Sequence, residues 1–238
     1  MAAGKPFFSP VIAQSMLEDY IRLMRDFRGT LLSDTQVNTL VWVLLLSVGS
    51  MTAWTVFAVG LDPWEALTQS AMNVTSIITD CGLVSTDYTQ WGTFAEVSFF
   101  LYFFMGGCTG STAGSIKIFR WQILFRSTAV QLTRMLQPHR VIKRSYHGKA
   151  TDSDVTEAVA NFVITYFCAF ALLTLALAAM HLDFLTASSA VASALAGAGP
   201  GLGPIVGPAG NYAPLPDAAK WVLSLAMLLG RLEIFTVL

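Results

Sequence analysis

The sequence predicts an all-α integral membrane protein made of two repeats, each with a spanning segment, a short pore helix, a re-entrant glycine loop and a second spanning segment. The chain of 238 residues is 54% hydrophobic and 12% charged, whereas an average soluble domain carries about 25% charged residues. Residues 37–61 and 158–182 are long and apolar enough to cross the hydrocarbon layer. Each is followed by a short helical segment and an unusual loop, and this repetition indicates two pore loops.

The first repeat starts with the uncharged residues 37–61. Asp62 and Pro63 end this span and begin a new helix, because aspartate is a good N-cap and proline suits the first helical turn. The short helix is expected to run to about Ile78. It ends in a loop of Thr79, Asp80, Cys81, Gly82 and Leu83. Residues 85–89 are mostly polar and lead the chain back toward the next span; they are called the polar return below.

An apolar run resumes at residues 97–105 and is broken by residues 106–115, which are rich in Gly, Ser and Thr. Such residues argue against a regular helix, and a helix that restarts at Ile116 would place Lys117 in its first turn. We interpret the break as a broken or mobile segment inside a spanning helix, because irregular backbone at membrane depth needs a cavity. The alternative is that small residues let two helices pack closely. The segment lacks the core of a P-loop and a nucleophile elbow.

The second repeat follows the same order. Asp183 starts a helix of small residues that is too short to cross a bilayer. It leads into a loop whose glycines allow backbone conformations closed to other residues, namely Gly197, Ala198, Gly199, Pro200, Gly201, Leu202 and Gly203. Residues 204–216 predict an extended, turn-rich loop, and a last span begins at Trp221. Arg231 and Glu233 fall inside that span, where charges are costly and usually functional.

Basic residues are concentrated in residues 117–149, which contain no Asp or Glu, and they are absent from residues 30–116 and 150–219. The positive-inside rule predicts that residues 117–149 are cytoplasmic and that the loops near residues 62 and 80–96 lie outside. Contact with anionic lipid, docking of a cytosolic partner and, as a poor third, nucleic-acid binding are the alternatives for the basic run. The net charge of −1 also argues against a nucleic-acid partner.

The chain divides into four predicted segments. These are an N-terminal cytoplasmic or interfacial helix (1–36), a first pore repeat (37–125), a basic cytoplasmic connector (126–153) and a second pore repeat (154–238). Within the first segment, residues 11–27 have a one-sided apolar spacing. That spacing predicts either a helix at the membrane surface or an ordinary connecting helix.

The sequence predicts neither a metal centre built from side chains nor an active site. Cys81, Cys108 and Cys168 lie far apart without metal-binding spacing, so we expect buried thiols. An intramembrane enzyme would need a Ser/Lys, HExxH or paired-aspartate site. Asp80 and Asp87 are close in sequence, but they lie in a loop and a polar return rather than facing each other on spanning helices. We therefore expect neither enzymatic activity nor an organic cofactor.

Two such repeats around a pore axis suit ion conduction. Backbone carbonyls in the glycine loops can replace the hydration shell of a potassium or sodium ion. The short helices would direct their negative C-terminal ends at the cation. Gly82 and Gly199 occupy equivalent places in the two repeats, as do Asp62 and Asp183.

Four segments carry a resemblance to a known family: TDCGLVSTDY (79–88), GGCTGSTAGSIK (106–117), GPGLG (199–203) and GRLEIFT (230–236). They resemble the TrkH/KtrB superfamily of potassium uptake proteins, most closely its TrkH branch. The family fold has four span–pore-helix–span repeats around one pore, and this chain looks like the third and fourth. The resemblance therefore implies half of a four-repeat, potassium-channel-like pore.

The resemblance also implies roles for individual residues. Gly82 and Gly199 match filter glycines, and K⁺ is expected at the backbone carbonyls of Cys81, Gly82, Ala198 and Gly199. The expected filter comprises Thr79, Asp80, Cys81, Gly82, Leu83, Ala198, Gly199, Pro200 and Gly201. The expected gate below it comprises Gly106, Gly107, Gly110, Ser111, Thr112, Gly114, Lys117 and Arg231. The family more often has other residues at the positions of Cys81, Leu83 and Ala198.

For partners, the resemblance implies a homodimer and a cytosolic, nucleotide-binding regulatory subunit like TrkA or KtrA, which the basic residues 117–149 would face. The missing repeats would come from another chain or from the rest of a longer protein, and membrane lipid would surround the spans. The expected location is a bacterial inner membrane, crossed several times. We thus expect a potassium-translocating subunit, and the alternative is a membrane fragment that binds a partner without conducting.

Overall fold

The computed structural model describes residues 34–111, 113–137, 145–146, 149–150 and 153–231. This part of the chain is mostly helical. Its helices are α1 (Thr35–Trp54), continued by a π-helical turn (Thr55–Val59), α2 (Pro63–Ile78), a 3₁₀ turn (Tyr88–Trp91), α3 (Thr93–Tyr102), α4 (Ile118–Leu136), α5 (Ser153–Ala178), α6 (Phe184–Ala196), α7 (Gly203–Val206) and α8 (Asp217–Arg231). Its strands are β1 (Met105–Gly106), β2 (Ile116–Lys117), β3 (Ser145–Tyr146) and β4 (Lys149–Ala150). The predicted helix at residues 11–27 and the predicted span beyond Arg231, with Glu233, lie outside the described residues.

Two of the described helices are long and apolar enough to cross a membrane, Thr35–Val59 and Val155–Ala178. They coincide with the two full spans that the sequence predicts. Large apolar side chains on both helices are exposed, among them Trp42, Phe57 and Leu172. Such a surface is suited to lipid or to another apolar protein surface rather than to water.

The two helices predicted to be pore helices, α2 and α6, keep that name below, and both begin where their capping residues predict. The Asp62 carboxylate accepts a hydrogen bond of 3.2 Å from the backbone N–H of Trp64 in α2. The Asp183 carboxylate accepts one of 3.2 Å from the backbone N–H of Thr186 in α6. Hydrogen bonding with Thr186 also holds the pKa of Asp183 below its ordinary value, because it favours the charged carboxylate. Helix α2 ends at Ile78, as predicted.

The two pore helices differ in how much of their surface is buried by the rest of the described structure. Every residue of α6 from Thr186 to Ala196 is buried, and the helix packs against α5 and α8. Helix α2 packs against α1, but it exposes the apolar side chains of Trp64, Leu67 and Met72. One side of the first repeat is therefore open to a further apolar partner.

The intramembrane loop, residues 107–115, is closed at its base by a short parallel ladder. Met105 pairs with Ile116, and Gly106 pairs with Lys117. Because these residues are held in the ladder, α4 begins only at Ile118 and Lys117 is its N-cap residue. The prediction of a helix restarting at Ile116, with Lys117 in its first turn, is therefore wrong.

Three further element boundaries differ from the expected ones. The turn-rich loop at residues 204–216 contains the end of the short helix α7. Helix α8 begins at Asp217, before the predicted Trp221, because Pro216 supplies the first carbonyl acceptor, bonded to the N–H of Lys220 at 3.2 Å. In the first repeat, α4 continues to Leu136, past the predicted segment boundary at residue 125.

An aromatic cluster joins the two repeats. The Tyr88 ring stacks on Phe99 with a centroid distance of 3.9 Å, and Phe104 packs edge-on against Tyr166 of α5 at 6.4 Å. The guanidinium group of Arg120 lies 3.8 Å from the ring centroid of Phe162, a cation–π contact between α4 and α5. These contacts hold α3 and α4 of the first repeat against α5 of the second.

Candidate ion filter and intramembrane loop

The first glycine loop, residues 79–83, turns the chain sharply after α2. Asp80 (φ 55°) and Gly82 (φ 74°) both have left-handed backbone conformations, which glycine adopts freely and aspartate more readily than most residues. The N–H of Cys81 donates a hydrogen bond of 2.9 Å to the carbonyl of Ser76. This bond satisfies one of the carbonyls that a helix end leaves without an intrahelical partner.

The second glycine loop, residues 197–203, starts in the same manner at the end of α6. Gly197 (φ 82°) is the left-handed residue that ends the helix, and its N–H donates to the carbonyl of Ser193 at 2.8 Å. The N–H of Ala198 shares that acceptor at 3.1 Å. Gly199 is again left-handed, with φ 100°. Each pore helix is therefore followed within a few residues by a glycine whose conformation other residues rarely adopt.

The two glycine loops meet. A Cβ atom added to Gly82 would collide with the backbone carbonyl oxygen of Ala198. The Ala198 carbonyl thus points at the first loop, and only a glycine leaves room for this approach. The fold brings Gly82 and Ala198 together although they lie far apart in the sequence.

The residues expected in the filter differ in exposure. Cys81, Leu83 and Gly199 are exposed, Thr79, Asp80, Gly82 and Pro200 are half-buried, and Ala198 and Gly201 are buried. The prediction of buried thiols is wrong for two of three cysteines, since Cys81 and Cys168 are exposed and Cys108 is half-buried. Cys81 is exposed because it lies in the glycine loop and not in a packed helix.

Hydrogen bonds hold the second glycine loop in place. The Tyr212 hydroxyl donates to the carbonyl of Gly199 at 2.7 Å. The Ser189 hydroxyl, on α6, accepts from the N–H of Leu202 at 2.9 Å and donates to the carbonyl of the same residue at 3.1 Å. The N–H of Gly201 donates to the carbonyl of Val206 at 2.7 Å. These hydrogen bonds fix the backbone of the second glycine loop to the residues packed around it.

The first glycine loop has a corresponding support on α2. The amide oxygen of Asn73 accepts from the N–H of Ser85 at 2.9 Å, and its amide nitrogen donates to the hydroxyl of Thr86 at 3.0 Å. From the same return, the Tyr88 hydroxyl reaches the carbonyl of Gly201 in the second loop at 3.4 Å. The polar return therefore braces its own loop and also contacts the other.

The intramembrane loop folds back on its own base. Lys117 is only 6% exposed. Its ammonium group donates to the carbonyl of Ser111 at 3.3 Å. The N–H and hydroxyl of Thr109 donate to the side-chain oxygen of Gln36, at 3.1 Å and 2.9 Å. Gln36 stands at the start of α1, so the loop is connected to the first span. Thr112 lies outside the described residues.

The C-terminal end of the intramembrane loop contacts the first glycine loop and the end of α6. The hydroxyl of Ser115 donates to the carboxylate of Asp80 at 2.9 Å, and the N–H of Gly114 donates to the carbonyl of Ala196 at 2.9 Å. A Cβ atom on Gly230 of α8 would collide with the Leu195 carbonyl in the same helix end. Gly230 is the neighbour of Arg231, so the end of α8 meets the same turn of α6 as the loop does.

The candidate site offers backbone oxygens rather than a side-chain metal centre. Among the described residues, no three His, Cys, Asp or Glu side chains are grouped so that they could hold a metal ion. The ends of α2 and α6, which carry partial negative charge from the helix dipole, converge where the two loops meet. The arrangement is therefore suited to a cation held by carbonyl groups.

The comparison with protein families decides the identity of the fold. A family model described as TrkH, cation transport protein, matches residues 28–238. The chain belongs to the TrkH family. This membership makes it a membrane protein of a cation transport family and excludes the enzyme alternative.

Individual relatives in the TrkH family agree with this assignment. The Trk system potassium uptake protein TrkI of Halomonas elongata is 46% identical over 219 residues, which cover 92% of this chain and 44% of the relative. The protein TrkH of Vibrio parahaemolyticus is 35% identical over 213 residues, 90% of this chain and 41% of the relative. The crystal structure of the potassium transporter TrkH from Vibrio parahaemolyticus superimposes with a TM-score of 0.79 at 33% identity, over 86% of this chain and 43% of that one. The chain therefore spans less than half the length of these relatives.

Sequence reasoning missed the residues that brace this TrkH-family site. Asn73 and Ser189 are polar residues buried on the pore helices. Asn73 bonds the backbone just after the first glycine loop, and Ser189 bonds the backbone of the second. Tyr212 lies in a turn-rich loop, and nothing local distinguishes it. A polar residue on the buried face of a short apolar helix is the signal that would have identified the first two, because such groups require partners.

Proposed function

We propose that this chain forms part of the conduction pathway of a potassium-translocating membrane protein. The observation that carries the proposal is the contact of Gly82 with the carbonyl of Ala198. Two loops that follow two separate pore helices expose backbone oxygens at one place. K⁺ is held there by the carbonyls of Cys81, Gly82, Ala198 and Gly199, and the potassium uptake activity in the names of the relatives supports this ion.

The chemistry of the proposed filter is solvation by the backbone. Carbonyl dipoles replace the water that a potassium ion loses on entry. The C-terminal ends of α2 and α6 add negative potential at the same place. No bond is made or broken, and the ion moves down its electrochemical gradient. Thr79, Asp80, Leu83, Pro200 and Gly201 complete the two loops and fix the direction of the carbonyls.

The intramembrane loop is the proposed gate. Its glycines, Gly106, Gly107, Gly110 and Gly114, permit a compact, non-helical path below the filter. Ser111 and Lys117 support the present conformation through their hydrogen bond. Thr112, outside the described residues, and Arg231, at the end of α8, complete the proposed gating set.

Two loops enclose only part of an ion, so the pore needs further repeats. The uncovered apolar side of α2 is where we place them, supplied by another chain or by the remainder of a longer protein. The basic residues 117–149 are the proposed contact for a cytosolic, nucleotide-binding regulatory subunit, and a homodimer is the proposed assembly. The proposed location is a bacterial inner membrane, crossed several times.

A chimera tests the proposal. In it, this chain replaces the matching segment of the Halomonas elongata relative, and it is produced in a bacterial strain that lacks its own potassium uptake systems. We expect growth at low K⁺ to be restored by the chimera and by the intact relative. The relative without the segment and this chain on its own are not expected to restore growth.

Two outcomes would count against the proposal. A chimera that reaches the membrane in normal amounts but takes up no K⁺ would show that the two glycine loops cannot serve a potassium pore. Uptake by this chain in the absence of any other repeat would contradict the proposed half-pore, unless copies of the chain assemble, which the molecular mass of the purified assembly would reveal.

A further inference from the structure

The last two residues of the intramembrane loop are tied to the first glycine loop and to the pore helix α6. Ser115 donates its hydroxyl proton to the Asp80 carboxylate at 2.9 Å. The adjacent N–H of Gly114 donates to the carbonyl of Ala196, the last residue of α6, at 2.9 Å. Both loop residues are buried. A single dipeptide therefore joins the first glycine loop to the C-terminal end of α6, which belong to different repeats.

The dipeptide is enclosed on each side. A Cβ atom on Gly114 would lie 2.5 Å from the carbonyl oxygen of Leu195 and 2.8 Å from that of Ala196. On the opposite side, a Cβ atom on Gly106 would collide with the Ser115 hydroxyl. Protein interiors this closely packed transmit displacement instead of absorbing it. A shift of the dipeptide must therefore move its neighbours.

Asp80 is the residue through which Ser115 reaches the filter. It directly precedes Cys81 and Gly82, and its left-handed backbone, φ 55°, sets the direction in which the first glycine loop leaves α2. One carboxylate oxygen bonds Ser115, while the other is buried without a hydrogen-bond partner among the described residues. Removal of the Ser115 hydroxyl would take away the side-chain hydrogen bond of this half-buried group, and so weaken the link between Asp80 and the intramembrane loop.

We infer that Ser115 is a positioning residue for the filter, and that Gly114 and Ser115 together couple the intramembrane loop to both glycine loops. This inference rests on the proposed function. Ser115 sets the first glycine loop through Asp80, and Gly114 sets the second through Ala196. Gly110 and Ser111 are exposed, whereas the Gly114–Ser115 dipeptide is buried against the filter. A change in the conformation of the intramembrane loop consequently changes the filter, so gating and ion selectivity are linked.

The test measures the ratio of K⁺ to Na⁺ uptake in the chimera. Ser115→Ala removes the hydrogen bond to the Asp80 carboxyl group, and we expect the ratio to fall by about fivefold. Ser115→Cys keeps the size of the side chain but donates more weakly, so its ratio should fall less, in the same direction. Ser98→Ala is the matched control, because the Ser98 hydroxyl bonds only the Phe94 carbonyl of its own helix, at 2.8 Å; its ratio should equal that of the parent.

A double-mutant cycle separates positioning from a general loss of structure. Asp80→Asn retains an oxygen acceptor for Ser115 and should preserve more selectivity than Asp80→Ala. The combination of Ser115→Ala with Asp80→Ala should be no worse than the more severe single variant, because both remove the same contact. Unchanged ratios for Ser115→Ala and Ser115→Cys, at equal amounts in the membrane, would overturn the inference, as would single effects that multiply in the double variant. A parent chimera without K⁺ uptake would instead overturn the proposed function.

Discussion

The hydroxyl group of Tyr212 donates a hydrogen bond of 2.7 Å to the carbonyl oxygen of Gly199. Gly199 is a left-handed residue, φ 100°, in the second glycine loop. A carbonyl oxygen has two lone pairs, so one can accept from Tyr212 while the other faces an ion. Tyr212 therefore fixes the direction of a carbonyl that belongs to the proposed potassium site.

Removal of this hydroxyl group should reduce ion selectivity without abolishing transport. A single neutral hydrogen bond contributes about 1 kcal/mol, which corresponds to about a fivefold change in an equilibrium. We expect Tyr212→Phe in the chimera to lower the ratio of K⁺ to Na⁺ uptake by about fivefold. Ser98→Ala is the control, because the Ser98 hydroxyl bonds the Phe94 carbonyl of its own helix, away from the glycine loops. Equal ratios in the two variants would mean that the Tyr212 bond is irrelevant to the filter.

The contact between Gln36 and Thr109 predicts a latch on the gate. The Gln36 side-chain oxygen accepts from both the N–H and the hydroxyl of Thr109, and so holds the exposed part of the intramembrane loop against α1. We expect Gln36→Leu to raise K⁺ uptake at rest by a few fold, because the loop loses both bonds. Gln36→Glu retains the acceptor oxygens and should behave like the parent. Resting uptake that is unchanged in Gln36→Leu would exclude a latch at this position.

The exposed thiol of Cys81 predicts chemical block of the pore. We expect a membrane-impermeant, positively charged thiol reagent added from outside to stop most K⁺ uptake, since the modified side chain would stand beside the filter carbonyls. Cys81→Ser should make uptake resistant to the reagent. Cys168 is exposed on the spanning helix α5, so Cys168→Ser should leave the block intact. If Cys81→Ser remains fully sensitive, Cys81 does not line the pathway.

The pore helices could be predicted from the sequence because their start signals are local. Asp62 and Asp183 each cap the helix that immediately follows, and Pro63 fits only the first turn. The positions of the two glycine loops follow from these helices and from their short length. Membership of the TrkH family could also be recognised from short motifs, and the family comparison confirms it.

The contacts between distant segments could not be predicted in the same way. Ser115 and Asp80 are 35 positions apart, and their hydrogen bond exists only because the intramembrane loop packs under both pore helices. The ladder of Met105 with Ile116 likewise depends on tertiary contact, and it moved the start of α4 away from the expected residue. The assignments of filter and gate remain predictions until ion flux is measured.

The most direct measurement compares K⁺ and Na⁺ flux through the purified chimera in liposomes, with and without Gly82→Ala. An alanine at this position would require a left-handed backbone and would collide with the Ala198 carbonyl. Gly49→Ala in α1 is the control, because an added Cβ atom there meets nothing within 4 Å. The account predicts K⁺-selective flux in the parent and the control, and loss of that selectivity in Gly82→Ala. An unchanged ratio of K⁺ to Na⁺ flux in Gly82→Ala would contradict the assignment of the two glycine loops as the filter.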